Sequence, residues 1–175
     1  VIPGSAIAIN PEKIIKARED TFIKDILLSA SIRFADGIGV VRTLSRKSGR
    51  KVTRIPGCEL WEEIMKKAGQ HALSVFLIGA KPEVIEQTSS KLANQYQVNV
   101  CGLQDGYFNA EQEEALIARI IELKPSIVSV ALGSPRQEVL INRCRKVCPD
   151  TFFMGVGGTY DVYTNNVKRA PKFFR

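Results

Sequence analysis

The sequence predicts an α/β protein, a Rossmann-like α/β/α sandwich built on a mostly parallel sheet. Short, almost purely apolar segments alternate with amphipathic segments of helical period along the whole chain. Such continuous apolar strands are typical of a parallel sheet that is buried on both faces. The chain has 175 residues, 45% of them hydrophobic and 25% charged, which suits one ordinary globular domain and leaves little room for two.

Taken in order along the chain, six apolar runs rich in β-formers predict strands at residues 6–9, 32–35, 75–78, 98–101, 127–132 and 152–156. The amphipathic runs predict helices at residues 59–68, 82–96, 110–123 and 135–147. Asn10 followed by proline reads as an N-cap, and a further helix is predicted to start near Gly37. No linker or repeat interrupts this order, so we predict one domain.

Polar residues and glycines follow directly after these strands. They are Asn10, Asp36 and Gly79 after the first three strands, Gly133, Ser134 and Gln137 after the fifth, and Gly157, Gly158 and Asp161 after the sixth. The carboxyl ends of parallel strands share one edge of the sheet, where open α/β proteins bind ligands. The sequence therefore predicts a ligand pocket there. It contains neither Gly-x-Gly-x-x-Gly nor a Walker lysine loop, which disfavours a nicotinamide-dependent oxidoreductase.

Structural explanations exist for several of these residues. Ser134 to Gln137 fits a capping box with Ser134 as the N-cap. Gly157 and Gly158 could serve close packing of a helix on the sheet. A helix N-terminus is also a ready anion site, so the capping and phosphate interpretations are compatible.

The basic residues are concentrated in two places. Six lie between residues 42 and 54 and four between residues 168 and 175, with no acid in either stretch. These ten exceed the net charge of +7 by three, so the rest of the chain carries −3. A general nucleic-acid binder more often shows a broad basic face, so we expect no nucleic-acid partner. The two clusters suit a diphosphate or an anionic lipid surface, or are simply solvated segments.

No metal or resident cofactor is expected. Cys58, Cys101, Cys144 and Cys148, with the single histidine His71, have no zinc-ligand spacing, and we interpret the thiols as reduced. No Asp-x-Asp pair is present to hold a metal diphosphate.

Asp36 is the candidate general base. It ends an apolar strand next to a flexible glycine, so we expect it to be buried enough for acid–base chemistry near neutral pH. The structural alternative is that Asp36 caps the helix beginning near Gly37.

Four segments resemble the WecG/TagA/CpsF glycosyltransferase family over essentially the whole chain. They are ADGIGVV at 35–41, GSPRQE at 133–138, GVGGTYD at 155–161 and KRAP at 168–171. The runs at 60–63, 76–79, 104–108 and 161–163 look closest to the WecG branch.

This resemblance implies an inverting, metal-independent transferase of enterobacterial common antigen synthesis. It would move N-acetylmannosaminuronate from its UDP-sugar to undecaprenyl-diphosphate-linked GlcNAc, as a peripheral protein at the cytoplasmic face of the inner membrane. Alternatives are a UDP-N-acetylmannosamine transferase of teichoic-acid type and a non-catalytic UDP-binding module. Family members can self-associate, so a homo-oligomer stays open.

The resemblance also implies roles for individual residues. Asp36 would be the base, Arg54 would lie near the diphosphates, and Asn10 and Gln137 would line the sugar–nucleotide pocket. Gly79, Gly133, Ser134, Gly157, Gly158 and Asp161 complete the expected substrate-binding set. Ala8 stands where some members carry threonine. The family continues beyond Arg-Ala-Pro, so residues 1–175 are expected to form a single domain cut short at both ends, lacking a C-terminal membrane and active-site segment.

Overall fold

The computed structural model describes residues 2–167. The basic tail from Lys168 and the KRAP motif lie outside the described residues. Six parallel strands form one sheet: β1 (Gly4–Ile9), β2 (Ile32–Ala35), β3 (Ser74–Gly79), β4 (Asn99–Gln104), β5 (Ile127–Ala131) and β6 (Phe152–Gly155). Their spatial order is β2-β1-β6-β5-β3-β4. The predicted Rossmann-like α/β/α class is confirmed.

Eight helices accompany the sheet in the part of the chain that the structure describes. They are α1 (Pro11–Glu19), α2 (Thr21–Ser29), α3 (Ile38–Ser48), α4 (Gly57–Gln70), α5 (Pro82–Tyr96), α6 (Ala110–Leu123), α7 (Arg136–Val147) and α8 (Thr159–Tyr163). None of these helices is both long enough and apolar enough to cross a bilayer.

Two helical layers cover the sheet. On one face α4, α5 and α8 bury a core centred on Trp61 and Tyr160, whose rings are 5.6 Å apart. On the other face α6 and α7 pack over β3, β5 and β6, while α1 and α2 cover β1 around Ile7. The central strand β5 is fully buried, as predicted for a parallel sheet, whereas the outer strands β2 and β4 are only partly buried.

The predicted elements agree closely with the observed ones. All six strands are present, and α5 and α6 have their predicted bounds. Helix α1 starts after Asn10, whose side chain accepts a hydrogen bond from the Lys13 backbone N–H at 2.9 Å, which confirms the predicted cap. The apolar periodicity did not predict the extent of α1, because α1 buries Lys13 and exposes Ile14 and Ile15.

Candidate active site

A cavity of about 540 Å³ lies at the carboxyl edge of the sheet, above β2, β1, β6 and β5. Nine of the ten predicted site residues line it: Asn10, Asp36, Arg54, Gly133, Ser134, Gln137, Gly157, Gly158 and Asp161. Eight of these residues follow four strand ends that are far apart in sequence, and the parallel register brings those ends to one edge. Arg54 joins them from the segment after α3.

Asp36 and Arg54 form an ion pair at the end of β2. The Arg54 Nη2 donates to Asp36 Oδ1 at 3.0 Å, and its Nε donates to the Asp36 backbone carbonyl. The Ile55 backbone N–H donates to the Ala35 carbonyl at 2.9 Å and holds this return segment beside the strand. The charge-assisted pair therefore fixes the position of the Asp36 carboxylate relative to the sheet.

The second carboxylate oxygen of Asp36, Oδ2, is not engaged by Arg54. Among residues 2–167 no group donates a hydrogen bond to Oδ2. A Cβ placed on Gly57 would lie 3.3 Å from Oδ2, so the glycine at the start of α4 keeps this oxygen accessible. The carboxylate thus has one oxygen held by Arg54 and one free to meet a substrate.

For Asp36, the expectation of burial and the structural alternative of a helix cap are both wrong. Its side chain is 31% exposed rather than buried, because β2 ends in the wall of an open cavity. It does not cap α3, whose N-cap is Gly37 and has no side-chain cap. The paired guanidinium, rather than an apolar enclosure, is the main electrostatic neighbour of this carboxylate.

The wall formed by the loop after β5 depends on a buried network. Lys13 Nζ lies 2.8 Å from Glu138 Oε1, with the two side chains 6% and 1% exposed. Gln137 Nε2 donates to the same Oε1 at 2.9 Å, and Gln137 Oε1 accepts from the Gly157 backbone N–H at 3.0 Å. This network links α1, α7 and the loop after β6 into one rigid wall.

The predicted capping box at α7 is therefore wrong. The helix begins at Arg136, its N-cap is Pro135 without a side-chain cap, and the Ser134–Pro135 peptide bond is cis. Gln137 turns inward instead, because Glu138 and the Gly157 N–H satisfy its amide. Ser134 still lines the cavity, and its carbonyl accepts from Lys16 Nζ at 2.8 Å.

Sequence reasoning missed Lys13 and Glu138. The lysine sits in the first turn of a helix, where it looks solvated, and its partner lies 125 positions further along the chain. No local pattern marks such a pair. The only available signal was the Glu that follows Gln137 directly, which α7 buries.

Three glycines leave the floor of the cavity bare. A Cβ on Gly133, Gly157 or Gly158 would contact nothing within 4 Å. Gly133 and Gly157 have positive φ angles of 73° and 53°, which glycine adopts without strain. Gly158 has φ −78°, a conformation that any residue adopts. The close-packing explanation for Gly157 and Gly158 is wrong, because a Cβ on either residue would meet no neighbour within 4 Å.

Gly79 lies outside this cavity. A Cβ on it would fall 2.2 Å from the Ala131 carbonyl oxygen, so its glycine is required by the close approach of β3 to β5. An adjoining cavity of about 360 Å³ begins beside it and is lined by Ala80, Lys81, Tyr107 and Arg136 among others. Asp161 lines both cavities and joins them.

The site contains charged pairs and amide groups rather than a metal-ligand cluster. Within residues 2–167 no group of three or more His, Cys, Asp or Glu side chains could hold a metal ion. Burial raises the pKa of the Cys144 thiol to about 12, and this residue lies in the core under α7, away from the cavity. Asp36, Arg54 and Asp161 are among the ionisable side chains that line the cavity.

The fold and the cavity define the class: a Rossmann-like α/β protein with its ligand site at the carboxyl edge of a parallel sheet. Over residues 3–175 the chain matches the model of the glycosyl transferase WecG/TagA/CpsF family, and it belongs to that family. The protein is therefore a glycosyltransferase, an enzyme class that in this family uses a nucleotide-sugar donor and a lipid-linked acceptor.

Proposed function

We propose that the protein is an inverting glycosyltransferase that needs no metal and moves N-acetylmannosaminuronate from its UDP-sugar to undecaprenyl-diphosphate-linked GlcNAc. The observation that carries this proposal is the Asp36 carboxylate, which lines the cavity with Oδ1 held by Arg54 and Oδ2 free. A fixed carboxylate with one free oxygen is what a general base for an attacking hydroxyl requires.

The reaction is a single displacement. Asp36 Oδ2 accepts the proton of the acceptor 4-hydroxyl while the hydroxyl oxygen attacks the anomeric carbon. The bond from that carbon to the UDP oxygen breaks, and UDP leaves with the electron pair. Arg54 uses Nε and Nη2 on Asp36, which leaves Nη1 for the negative charge that develops on the diphosphate. Asp36 thereby takes up the proton, and UDP carries the charge away.

The room for the donor is provided by the bare glycines. Gly133, Gly157 and Gly158 allow a sugar or diphosphate to approach the backbone closely, and Gln137 holds this loop in place by accepting from the Gly157 N–H. The adjoining cavity at Asp161 extends the space available to a nucleotide. Asn10 also lines the cavity, although its side-chain oxygen already accepts the hydrogen bond that caps α1.

A second candidate donor, UDP-N-acetylmannosamine, is favoured by one specific observation. Of the cavity residues that the structure describes, the cationic ones are Lys13 and Arg54, and each is paired with a carboxylate. A uronate donor would need a cation for its own carboxylate. The sequence runs at 60–63 and 104–108, which look closest to the WecG branch, support the uronate.

The membrane location belongs to the same proposal. An undecaprenyl-linked acceptor stays in the bilayer, so the enzyme has to work at its surface. We place it at the cytoplasmic face of the inner membrane, where UDP-sugars are made available, as a peripheral protein. Self-association is compatible with this arrangement.

Calorimetric titration with UDP, GDP and NAD in EDTA tests the nucleotide site, and a transfer assay with both UDP-sugars and a short-chain prenyl-diphosphate-GlcNAc tests the reaction. We expect UDP to bind selectively without metal and the uronate to be transferred in preference. Transfer of only the uncharged sugar would select the teichoic-acid type. UDP binding without any transfer would leave the non-catalytic UDP-binding module, and no selectivity for UDP would contradict the proposal altogether.

A further inference from the structure

Helix α3 contributes little to the core of the molecule. Of its eleven residues only Val40 is buried. Ile38 and Leu44 are 38% and 44% exposed, and Ile55 in the segment that follows is 40% exposed. An amphipathic helix that leaves part of its apolar side uncovered is suited to contact another apolar phase.

The same segment carries unpaired positive charge. Five exposed basic residues lie on α3 and in the turn after it: Arg42, Arg46, Lys47, Arg50 and Lys51. No acidic residue occurs between Asp36 and Glu59. None of the five cations forms an ion pair with any residue between 2 and 167. This combination of cations and exposed aliphatic side chains matches the headgroup and acyl regions of an anionic bilayer.

Both ends of the segment are held at Asp36. Helix α3 starts directly after Gly37, and Arg54 at the far end of the segment donates to Asp36. Between these ends the left-handed Gly49 terminates the helix, and the Val52 backbone N–H donates to Ser45 Oγ at 3.0 Å. The turn therefore folds back on the helix, and the whole unit has a fixed relation to the cavity.

We propose that α3 and the turn through Ile55 form the surface by which this protein docks on an anionic phospholipid bilayer. Docking there would place Asp36 beside the headgroup layer, where the diphosphate of a lipid-linked acceptor lies. A single-stranded nucleic acid is the less suitable polyanion, since the segment from 38 to 55 contains no aromatic residue for base stacking. Presentation of an acceptor rests on the proposed function, whereas partition onto a bilayer does not.

Co-sedimentation with vesicles tests the surface. The probes are phosphatidylcholine vesicles containing phosphatidylglycerol and vesicles of phosphatidylcholine alone. We expect binding only to the anionic vesicles, with affinity falling as salt rises. The double variant Arg46→Glu/Lys47→Glu should bind at least ~20-fold more weakly. Leu44→Ser, which keeps the charge, should bind roughly tenfold more weakly because less apolar surface enters the bilayer.

The matched control is Lys67→Glu/Lys146→Glu, which makes the same charge change on α4 and α7. Both positions are exposed and close to the starts of β3 and β6, at the opposite edge of the sheet. This control should keep its vesicle affinity. Thermal unfolding followed by circular dichroism, which needs no ligand, checks that every variant is folded.

Four results would overturn the proposal. One is unchanged vesicle binding by the Arg46/Lys47 variant, and another is an equal loss in the Lys67/Lys146 control. The third is tighter binding to duplex DNA than to anionic vesicles at the same salt. If Lys172→Glu/Arg175→Glu alone abolished vesicle binding, the docking surface would belong to the C-terminal basic cluster instead of α3.

Discussion

In the proposed reaction Asp36 meets the substrate through Oδ2, because Arg54 occupies Oδ1. Its replacement by asparagine keeps the size of the side chain and an oxygen that can face Arg54, but removes the basic oxygen. We expect Asp36→Asn to keep UDP affinity within about threefold and to lower turnover at least ~100-fold, the usual scale for a lost general base. Calorimetry and the transfer assay measure the two effects separately.

Asp150→Asn is the matched control for this change. Asp150 is exposed and lies just before β6, at the edge of the sheet opposite the cavity. It should leave both UDP affinity and turnover unaltered. Equal turnover by Asp36→Asn and the parent protein would remove Asp36 from the role of base.

A substitution at Gly158 can show whether this glycine is needed for ligand binding rather than for folding. Its φ of −78° suits any residue, and a Cβ there touches nothing within 4 Å. We therefore expect Gly158→Ala to leave the free energy of unfolding unchanged within about 0.5 kcal/mol. The methyl group would enter the cavity, so UDP affinity should fall by roughly tenfold or more if the donor approaches this backbone.

Gly39→Ala serves as the control for Gly158→Ala. Gly39 lies inside α3, its Cβ would come no closer than 3.9 Å to Pro11, and it does not line the cavity. Alanine there should stabilise the protein by up to about 1 kcal/mol without altering UDP affinity. Unaltered UDP affinity in Gly158→Ala would show that the donor does not reach this glycine.

At the scale of elements, α1 and α7 are joined by the buried Lys13–Glu138 pair. Removing one member leaves the other charge buried and unpaired, so Glu138→Gln should cost about 3–5 kcal/mol of unfolding free energy. The exposed pair of Lys66 and Glu63 provides the contrast, with side chains 37% and 64% exposed. Glu63→Gln should cost less than about 1 kcal/mol. Urea denaturation measures both.

The double variant Lys13→Met/Glu138→Leu tests what the pair is for. Apolar replacements of similar size should recover most of the lost stability, because no unpaired charge remains. These apolar residues do not restore the acceptor for Gln137 Nε2. The Gln137 side chain, whose Oε1 holds the Gly157 N–H, is then no longer fixed. UDP affinity should therefore stay low while stability recovers. Recovery of both stability and UDP affinity would mean that the Lys13–Glu138 pair serves only packing.

The helices and strands also show how much of the structure the sequence predicts. Local patterns predicted the six strands, the cap at Asn10 and the residues that follow each strand, because apolar runs and turn residues are local signals. The parallel sheet then assembled nine of the ten predicted site residues in one cavity. Side-chain pairing escaped prediction: the Asp36–Arg54 pair, the inward turn of Gln137 and the Lys13–Glu138 pair depend on register and packing between distant segments.

At the scale of the whole molecule, one continuous sheet separates cores that share its strands. Strands β3, β5 and β6 place alternate residues in the core under α4 and in the core under α6 and α7. Because the strands are shared, unfolding of one core would expose the side chains of the other. The two faces should therefore unfold together in one cooperative transition.

Trp61 is the only tryptophan of the chain, so tryptophan fluorescence reports on the face of the sheet that α4 covers. It is 1% exposed, and its Nε1 donates to Ser129 Oγ at 2.8 Å, which ties α4 to the central strand β5. We expect the Trp61 fluorescence and the far-ultraviolet circular dichroism to change at the same urea concentration. Saturating UDP should shift both midpoints upward by the same amount, because ligand binding stabilises the native state as a whole. A fluorescence transition at lower urea would mean that the face carrying α4 opens independently, and a UDP shift confined to one probe would locate the nucleotide on that unit alone.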